Sequence, residues 1–175
     1  GCTFCIIPKV RGAFRSRSIE SIKAEVKRLA ASGVKEIVLI AQDTTSYGID
    51  LNNGKPLLTE LLKELTKVEG IEWIRMLYLY PTFFSDELLD IIVNEPKLCK
   101  YVDIPLQHVN NDILKQMNRR DDRNDIERLL KKIRNAPTHI TLRTSIIVGF
   151  PGETDEQFEE LCDFVKEIKF DNMGV

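Results

Sequence analysis

Two cysteines near the start of the chain have the spacing that most clearly suggests chemistry. Cys2 and Cys5 form a Cys-x-x-Cys pair within a short apolar segment. At this spacing two sulfurs can ligate one metal centre or bond to each other. The pair alone is a weak signal, because a metal site also needs further ligands and a scaffold that holds them.

Three kinds of dithiol site are compatible with such a pair. A thioredoxin-type site requires the pair to open a helix, whereas Pro8, Arg11 and Gly12 follow here with no helical period, so we predict a loop. A zinc ribbon requires a second Cys-x-x-Cys, which the sequence lacks. An iron–sulfur cluster ordinarily takes more than two thiolates, so at least one ligand is expected outside this chain.

The segment from Lys9 to Arg17 is a basic loop that follows the two cysteines directly. It carries Lys9, Arg11, Arg15 and Arg17. Two interpretations stand side by side: a solvated linker, or a cationic rim for an anionic substrate or a cofactor carboxylate.

The overall composition is that of an ordinary soluble domain. The chain has 175 residues, of which 43% are hydrophobic and 30% charged, enough for one domain with a real core. A net charge of −2 and a pI of about 5.8 do not indicate a dedicated nucleic-acid binder. No apolar run has the length of a membrane span. The cytoplasm is therefore the expected location, where reduced thiols favour metal binding or catalysis over a disulfide.

The elements that must position these residues alternate between strands and helices. Strands are predicted at 37–41, 73–80, 101–106 and 141–148, with a further strand beginning near 170, and helices at 19–33, 57–68, 85–93, 112–117, 124–134 and from 154. Because no hairpin signals occur, the pattern is that of parallel βα units. We predict an α/β fold, a partial (β/α) TIM-like barrel truncated at both ends, excised from a longer protein.

The sequence makes specific predictions about the burial of the first strand and the shape of the third. The continuous apolar run 37–41 predicts a strand buried on both faces. Pro105 predicts a distorted end for the third strand, because proline cannot donate to a central ladder. Cys99 and Cys162 are predicted to be small core residues.

In barrels of this kind the functional sites lie at the carboxyl ends of the strands. The polar residues at these ends include Gln42, Asp43, Gln107 and His108, and the last of these is predicted to have a hydrogen-bonding role. Arg143 would point into the barrel, where an arginine needs a carboxylate. Its partner is either a ligand carboxylate or an internal salt bridge to Asp103 or Asp43.

Five segments resemble the methylthiotransferases within the radical S-adenosylmethionine (SAM) enzymes. They are 2–12 (CTFCIIPKVRG), 15–17 (RSR), 42–50 (QDTTSYGID), 103–108 (DIPLQH) and 143–154 (RTSIIVGFPGET). The first is similar to the last two-thirds of the Cys-x-x-x-Cys-x-x-Cys signature of those enzymes. The resemblance extends over essentially the whole chain.

The resemblance implies a [4Fe–4S] cluster held by three cysteines, whose fourth iron chelates SAM. Reduction would then cleave SAM to a 5′-deoxyadenosyl radical that abstracts hydrogen from an unactivated carbon. Cys2 and Cys5 would be the second and third ligands, and the first would lie four residues before Cys2, outside this chain. Phe4 would lie beside the bound cofactor.

The same resemblance implies a set of SAM contacts. Gln42 and Asp43 occupy the position that contacts the methionine amino group, and Gln107 and Arg143 are candidates for the ribose and the carboxylate. The residues expected to line the adenine are Val148, Gly149 and Phe150.

Among the methylthiotransferases, the segments are similar to the branch that modifies an aspartate β-carbon in a small-subunit ribosomal protein (S-twelve). The branch acting on transfer-RNA adenosine usually has Gly-Gln-Asn-Val at 41–44 and lacks the Gln-His pair at 107–108. That activity is the first alternative, and a non-catalytic barrel fragment that binds zinc or no metal is the second.

The resemblance also bears on domains and partners. Residues 1–175 would be the radical SAM core, without the amino-terminal domain that binds an auxiliary [4Fe–4S] cluster and without the carboxy-terminal TRAM domain. We therefore expect this chain alone to be inactive. The implied partners are the ribosomal protein and an electron donor such as flavodoxin or ferredoxin, with no membrane and no nucleic acid bound by this domain.

Overall fold

The protein is a layered α/β structure of parallel strands followed by helices. The structure, a computed structural model, describes residues 2–175. A single 3₁₀ turn spans Pro81–Phe83. The helices are α1 (Ile7–Arg11), α2 (Ile19–Ala31), α3 (Leu58–Thr66), α4 (Asp86–Asn94), α5 (Asn111–Gln116), α6 (Arg123–Arg134) and α7 (Asp155–Ile168), and the strands are β1 (Glu36–Leu39), β2 (Trp73–Met76), β3 (Tyr101–Asp103), β4 (Thr141–Ser145) and β5 (Asn172–Gly174).

The strands lie side by side in the order of the sequence, and every described pair is parallel. β1 pairs with β2, and β3, β4 and β5 form a second set. A bridge between Ile74 and Leu98 joins the two sets, and the Leu79 amide donates to the Asp103 carbonyl at 2.8 Å. The predicted α/β fold of parallel strands is confirmed, including the strand expected to begin near 170.

The core lies between one face of the strands and the helices that pack on it. Ile74, Val102 and Leu142 are fully buried on that face, and Leu62 and Ile92 meet them from α3 and α4. Fully burying a side chain of this kind contributes about 1.5–3 kcal/mol. This layer fixes the strand ends in space, because rigid packing leaves the strands no freedom to slide.

The helix starts follow the capping residues in the sequence. Ser18, Ser85 and Thr154 each accept a hydrogen bond from a backbone amide of the first turn. Asp122 and Thr154 form reciprocal capping boxes with Asp125 and Gln157. Each cap stabilises its helix by about 1 kcal/mol, which explains why the predicted helix starts are accurate.

The segment after the cysteines differs from the prediction. Residues Ile7–Arg11 form one helical turn rather than a loop. Pro8 fits the first turn because its φ is fixed in the helical range, and Gly12 ends the turn at a φ of +79°. One turn is too short to show a hydrophobic period, so pattern reasoning misses it.

Two predictions of burial are also wrong. Val38 and Ile40 are 43% and 66% exposed, because helices cover only one face of β1 and the other face is open. The sequence pattern of α7 predicts an inner stripe of Phe158, Leu161, Val165 and Ile168. Phe158 is 40% exposed, however, and Phe164 is buried instead.

The ends of the strands are irregular, as Pro105 predicts. β3 ends at Asp103, and a single bridge joins Gln107 to Ile146 two residues beyond the proline. Tyr78 and Gln107 both have positive φ, at +57° and +72°.

Cys99 and Cys162 are half-buried, and neither forms a disulfide. None of the helices within residues 2–175 combines the length and apolarity needed to cross a bilayer.

Candidate functional site

A cavity of about 330 Å³ opens beside the carboxyl ends of the strands. Its volume lies within the ~300–1,000 Å³ typical of small-molecule sites. Five of the residues predicted from the sequence line it: Cys2, Phe4, Cys5, Gln42 and Gln107. The fold therefore brings together the two thiols and the strand-end amides of β1 and β3, which are far apart in the sequence.

The loop that carries the two cysteines is attached to the end of α5. The Cys5 amide donates to the Cys2 carbonyl at 3.1 Å, which closes a turn. Thr3 binds α5 twice, through its amide to the Met117 carbonyl at 3.1 Å and through its hydroxyl to the Gln116 carbonyl at 2.9 Å. Both thiols are consequently held half-buried at the cavity wall.

Tyr80 and Arg119 line the same cavity and were not predicted from the sequence. The Tyr80 hydroxyl lies 3.9 Å from Cys2 Sγ, and the Arg119 guanidinium lies 4.0 Å from the centre of the Tyr80 ring. Burial raises the pKa of the Tyr80 phenol well above its ordinary value, although the positive charge of Arg119 opposes this shift. The phenol therefore stays protonated beside the thiol.

Gln42 and Asp43 adopt different positions after β1. Gln42 is exposed at the cavity, whereas the Asp43 carboxylate accepts hydrogen bonds from the Thr45 hydroxyl and from the Ser46 hydroxyl and amide. Asp43 thus stabilises its own loop, as carboxylates commonly do in turns. Of the two, Gln42 is the one whose side chain faces the cavity.

Gln107 is positioned by an unusual backbone conformation. Its φ of +72° is uncommon for a residue with a side chain, and its amide donates to the Ser145 carbonyl at 2.9 Å. Such conformations cost about 1–3 kcal/mol and persist where the surroundings impose them. This backbone conformation and this hydrogen bond place Gln107 next to Ser145 in the wall of the cavity.

Arg143 forms the internal salt bridge that was one of its two predicted arrangements. Its guanidinium lies 2.8 Å from Asp103 Oδ1, and Asp103 is 1% exposed. The hydrogen bond that Arg143 donates to the Asp103 carboxylate raises the pKa of Arg143 above its usual value. The second carboxylate oxygen accepts from the Tyr78 amide at 3.3 Å. Arg143 is therefore occupied by a protein carboxylate and does not line the cavity.

The turn after β4 lies at the same edge of the sheet but outside the cavity. Val148 is 44% exposed, Gly149 has a φ of +71° with open space around it, and the Phe150 amide donates to Glu153 at 2.9 Å. The adenine contacts implied by the resemblance remain predictions for these three residues. A ligand could reach them only by extending beyond the cavity.

His108 has the hydrogen-bonding role predicted for it. It is completely buried, and its Nδ1 accepts from the Asn110 amide at 3.0 Å. Nε2 then carries the proton and donates to Glu153, at 3.3 Å. The pair anchors the turn after β4 to the end of β3.

The basic segment 9–17 matches neither of its two interpretations fully. It is not a free linker, because Ser16 and Arg17 bind the loop after β1: the Ser16 amide donates to Asp50 at 2.8 Å, and the Tyr47 hydroxyl donates to the Arg17 carbonyl at 2.7 Å. None of its cations lines the cavity. The cation beside the thiols is Arg119, which the sequence presents only as one member of a charged run.

The residues fit a thiolate-bound metal centre in part. Between residues 2 and 175, no group of three or more histidine, cysteine or acidic side chains is arranged to hold a metal ion. Cys2 and Cys5 supply two soft ligands, and Arg119 and the Tyr80 hydroxyl supply the positive charge and the donor that suit an anionic cluster. A tetrahedrally coordinated iron would need at least one further ligand in addition to Cys2 and Cys5.

Comparison with known proteins identifies the class. The model of the radical SAM superfamily matches residues 1–165, and the chain belongs to that superfamily. Membership implies a [4Fe–4S] cluster and SAM.

Within the superfamily, the chain is similar to ribosomal protein uS12 methylthiotransferase RimO. It is 55% identical to RimO of Clostridium kluyveri and 56% identical to that of Clostridium novyi, each over 174 residues. Both alignments cover 99% of this chain and 39% of the relative. The chain thus spans about two fifths of the length of these relatives, and the family indicated by the sequence motifs is confirmed.

Solved structures share the fold. The methyltransferase TsrM of Kitasatospora setae, solved with cobalamin and a [4Fe–4S] cluster, gives a TM-score of 0.77 over 98% of this chain and 33% of its own, at 19% identity. Coproporphyrinogen III oxidase HemN of Escherichia coli gives 0.66 over 99% of this chain and 40% of its own, at 18% identity. Identities this low show a common fold and nothing about substrate.

Proposed function

We propose that this chain is the radical-forming core of a methylthiotransferase that modifies the β-carbon of an aspartate in ribosomal protein uS12. The observation that carries the proposal is the 55–56% identity to RimO over 99% of the chain, within a superfamily to which the chain belongs. The site supports it, because Cys2 and Cys5 line one cavity with the strand-end amides Gln42 and Gln107.

In this proposal, Cys2 and Cys5 ligate the cluster, and a cysteine four residues before Cys2 in the full protein supplies the third thiolate. When bound, the cluster and SAM supply the electron and the radical chemistry that activates an unreactive carbon. Thr3 fixes the thiol loop to α5, so the backbone that carries the two sulfurs is ordered without a metal.

The side chains that face the cavity have separate tasks. Phe4, 43% exposed at the wall, offers an apolar surface to the cofactor. Gln42 and Gln107 each offer an amide that donates and accepts hydrogen bonds, which suits amino and hydroxyl groups. Asp43 and Arg143 are engaged with other residues, so the cofactor contacts proposed for them would use the donor and acceptor positions that these bonds leave over.

The remaining parts of the proposal concern the complete protein. They are an auxiliary [4Fe–4S] cluster in an amino-terminal domain, a TRAM domain, an electron donor such as flavodoxin or ferredoxin, and a cytoplasmic location with the ribosome. The relatives named as ribosomal protein uS12 methylthiotransferases support the association with the ribosome. The two further domains, the auxiliary cluster and the electron donor are proposed from the family resemblance.

The experiment is mass spectrometry of uS12 and of transfer RNA from a strain that lacks the gene. We expect uS12 to lose one methylthio group, and the full-length gene to restore it. Full-length variants Cys2→Ala and Cys5→Ala should fail to restore it, whereas the matched variants Cys99→Ala and Cys162→Ala should succeed, because those half-buried thiols lie outside the cavity. Unmodified transfer RNA with normal uS12 would overturn the proposal in favour of an RNA substrate.

A further inference from the structure

A tyrosine and an arginine form a stacked unit beside one of the two thiols. The Tyr80 hydroxyl is 3.9 Å from Cys2 Sγ, and the Arg119 guanidinium is 4.0 Å from the Tyr80 ring. At that separation a guanidinium is attracted to the electron-rich face of the ring. Among residues 2–175, no hydroxyl or amide group donates a hydrogen bond to Cys5 Sγ.

Both members of the unit are fixed independently of the thiol. The Tyr80 amide donates to the Thr45 hydroxyl at 3.1 Å, and that hydroxyl also lies 3.3 Å from the Tyr80 carbonyl. Arg119 donates to the Pro105 carbonyl at 2.7 Å, and its own amide binds the Leu114 carbonyl at 2.8 Å. The loop after β1 therefore holds the backbone of Tyr80, and residues next to β3 and α5 hold Arg119, which lies over the Tyr80 ring.

The direction of the contact follows from chemistry. A neutral thiol and a phenol could each donate to the other, but a cysteine that ligates iron is a thiolate and can only accept. Hydrogen bonds to cluster sulfurs and nearby positive charge both stabilise the reduced, more negative cluster. Tyr80 supplies the first of these effects and Arg119 the second.

We propose that Tyr80, backed by Arg119, is a positioning residue that donates a hydrogen bond to Cys2 Sγ and thereby raises the reduction potential of the cluster ligated by Cys2. The inference rests on the proposed function, because it requires Cys2 to be an iron ligand. It assigns unequal roles to the two cysteines: Cys2 is the tuned ligand and Cys5 is not.

The test is a redox titration of the full-length protein, reconstituted anaerobically with iron and sulfide and followed by electron paramagnetic resonance. The signal that changes on addition of SAM identifies the relevant cluster. Tyr80→Phe removes only the hydroxyl, so iron and sulfide content should match the wild type. We expect about a tenfold smaller ratio of reduced to oxidised cluster at a fixed potential, which is about 59 mV for one electron.

The matched control is Tyr101→Phe. Tyr101 also stacks with an arginine, Arg75 at 5.2 Å, but it has no contact with Cys2 or Cys5. Its variant should titrate as the wild type does. An equal shift in both variants, or no shift in Tyr80→Phe, would overturn the inference.

A second variant keeps the inference testable if Tyr80→Phe loads iron poorly. Arg119→Gln removes the charge but not the hydroxyl, and it should also lower the potential, whereas Arg119→Lys should restore part of it. A wild-type potential in Arg119→Gln would exclude the stacked unit as the cause. Absence of any cluster in the wild-type protein would instead refute the proposed function, so the two failures are distinguishable.

Discussion

At the residue scale, the structure assigns Arg143 and Arg119 to different partners. Arg143 is paired with a buried carboxylate, and Arg119 is stacked on a tyrosine at the cavity. The sequence makes Arg143 conspicuous, because it interrupts an apolar strand. Arg119 stands among other charges in a loop, so nothing in the one-dimensional pattern marks it, and only the path of the chain places it beside Cys2.

Removing Arg143 should destabilise the fold more than removing a similar arginine. Arg143→Met leaves Asp103, 1% exposed, as a buried charge without its cation. We expect a loss in the free energy of unfolding near the lower end of ~3–5 kcal/mol, because the arginine itself is partly exposed.

The matched control is Arg75→Met. Arg75 is as exposed as Arg143 (34% against 35%) and pairs at 2.7 Å, but its partner Glu36 is itself 35% exposed. Its loss should stay below about 1 kcal/mol. Urea unfolding of both variants measures the difference, and equal losses would show that burial of the carboxylate is not the cause.

At the element scale, the sequence predicts the starts of the longer helices well and the exposed faces of the strands poorly. Helix starts depend on local capping chemistry, as at Ser18 and Thr154, so a short window contains the necessary information. The faces of β1 depend on which layers cover it, and a run of apolar residues cannot show that one face is open. The positive φ of Gln107 likewise comes from the tertiary path around Pro105.

The packing of α3 on the sheet should contribute strongly to stability. Leu62 is fully buried, so Leu62→Ala should lower the free energy of unfolding by about 2–5 kcal/mol through the cavity that it leaves. Leu29→Ala in α2 is the control, since Leu29 is 38% exposed. Denaturant unfolding should show a loss in the second variant well below that in the first; comparable losses would contradict the assigned core.

Asp171 should make the junction between α7 and β5 sensitive to acid. The Leu142 amide donates to its carboxylate at 2.8 Å and, with help from Arg134 at 3.1 Å, holds the pKa of Asp171 below its usual value although burial opposes this. A carboxyl with a lowered folded pKa stabilises the fold above its unfolded pKa of ~3.9, and this contribution disappears as pH falls through the folded pKa.

The measurement is the free energy of unfolding at neutral pH and near pH 3. Asp171→Asn should reduce the difference between the two values, and Asp163→Asn, which changes a carboxylate that is 75% exposed, should leave it almost unchanged. An unaltered difference in Asp171→Asn would refute the assignment.

At the scale of the whole molecule, the strand order and the cavity were predictable together. Alternating βα units place all strand ends at one edge, so Gln42 and Gln107 were expected there. The resemblance to radical SAM enzymes, and not the pattern of elements, implied that Cys2 and Cys5 join them, and all four residues line the cavity. The turn at 148–150 was expected there too and lies beside the cavity instead. The position of this turn relative to the thiols depends on the path of the chain after β3 and β4, which the sequence pattern does not specify.

Residues 1–175 alone should show no methylthiolation of uS12. Within the described residues no group of three or more histidine, cysteine or acidic side chains is arranged to hold a metal ion, and a stable cluster ordinarily takes more than two thiolates. The check is incubation of this polypeptide with iron, sulfide, a reductant, SAM and uS12, followed by mass spectrometry, beside the full-length protein as a positive control. Modified uS12 from the short polypeptide would contradict the expectation.

The attachment of Thr3 to the end of α5 has a further consequence for the proposed binding of iron by Cys2 and Cys5. A free loop would lose conformational entropy when it binds metal, which costs a free energy of about 1–2 kcal/mol for each residue that becomes ordered. Here the two hydrogen bonds of Thr3 order the loop when the chain folds, so this entropy is lost on folding and not on metal binding. Folding and metal affinity are therefore thermodynamically linked, and mutations that loosen α5 should weaken metal binding without touching either sulfur.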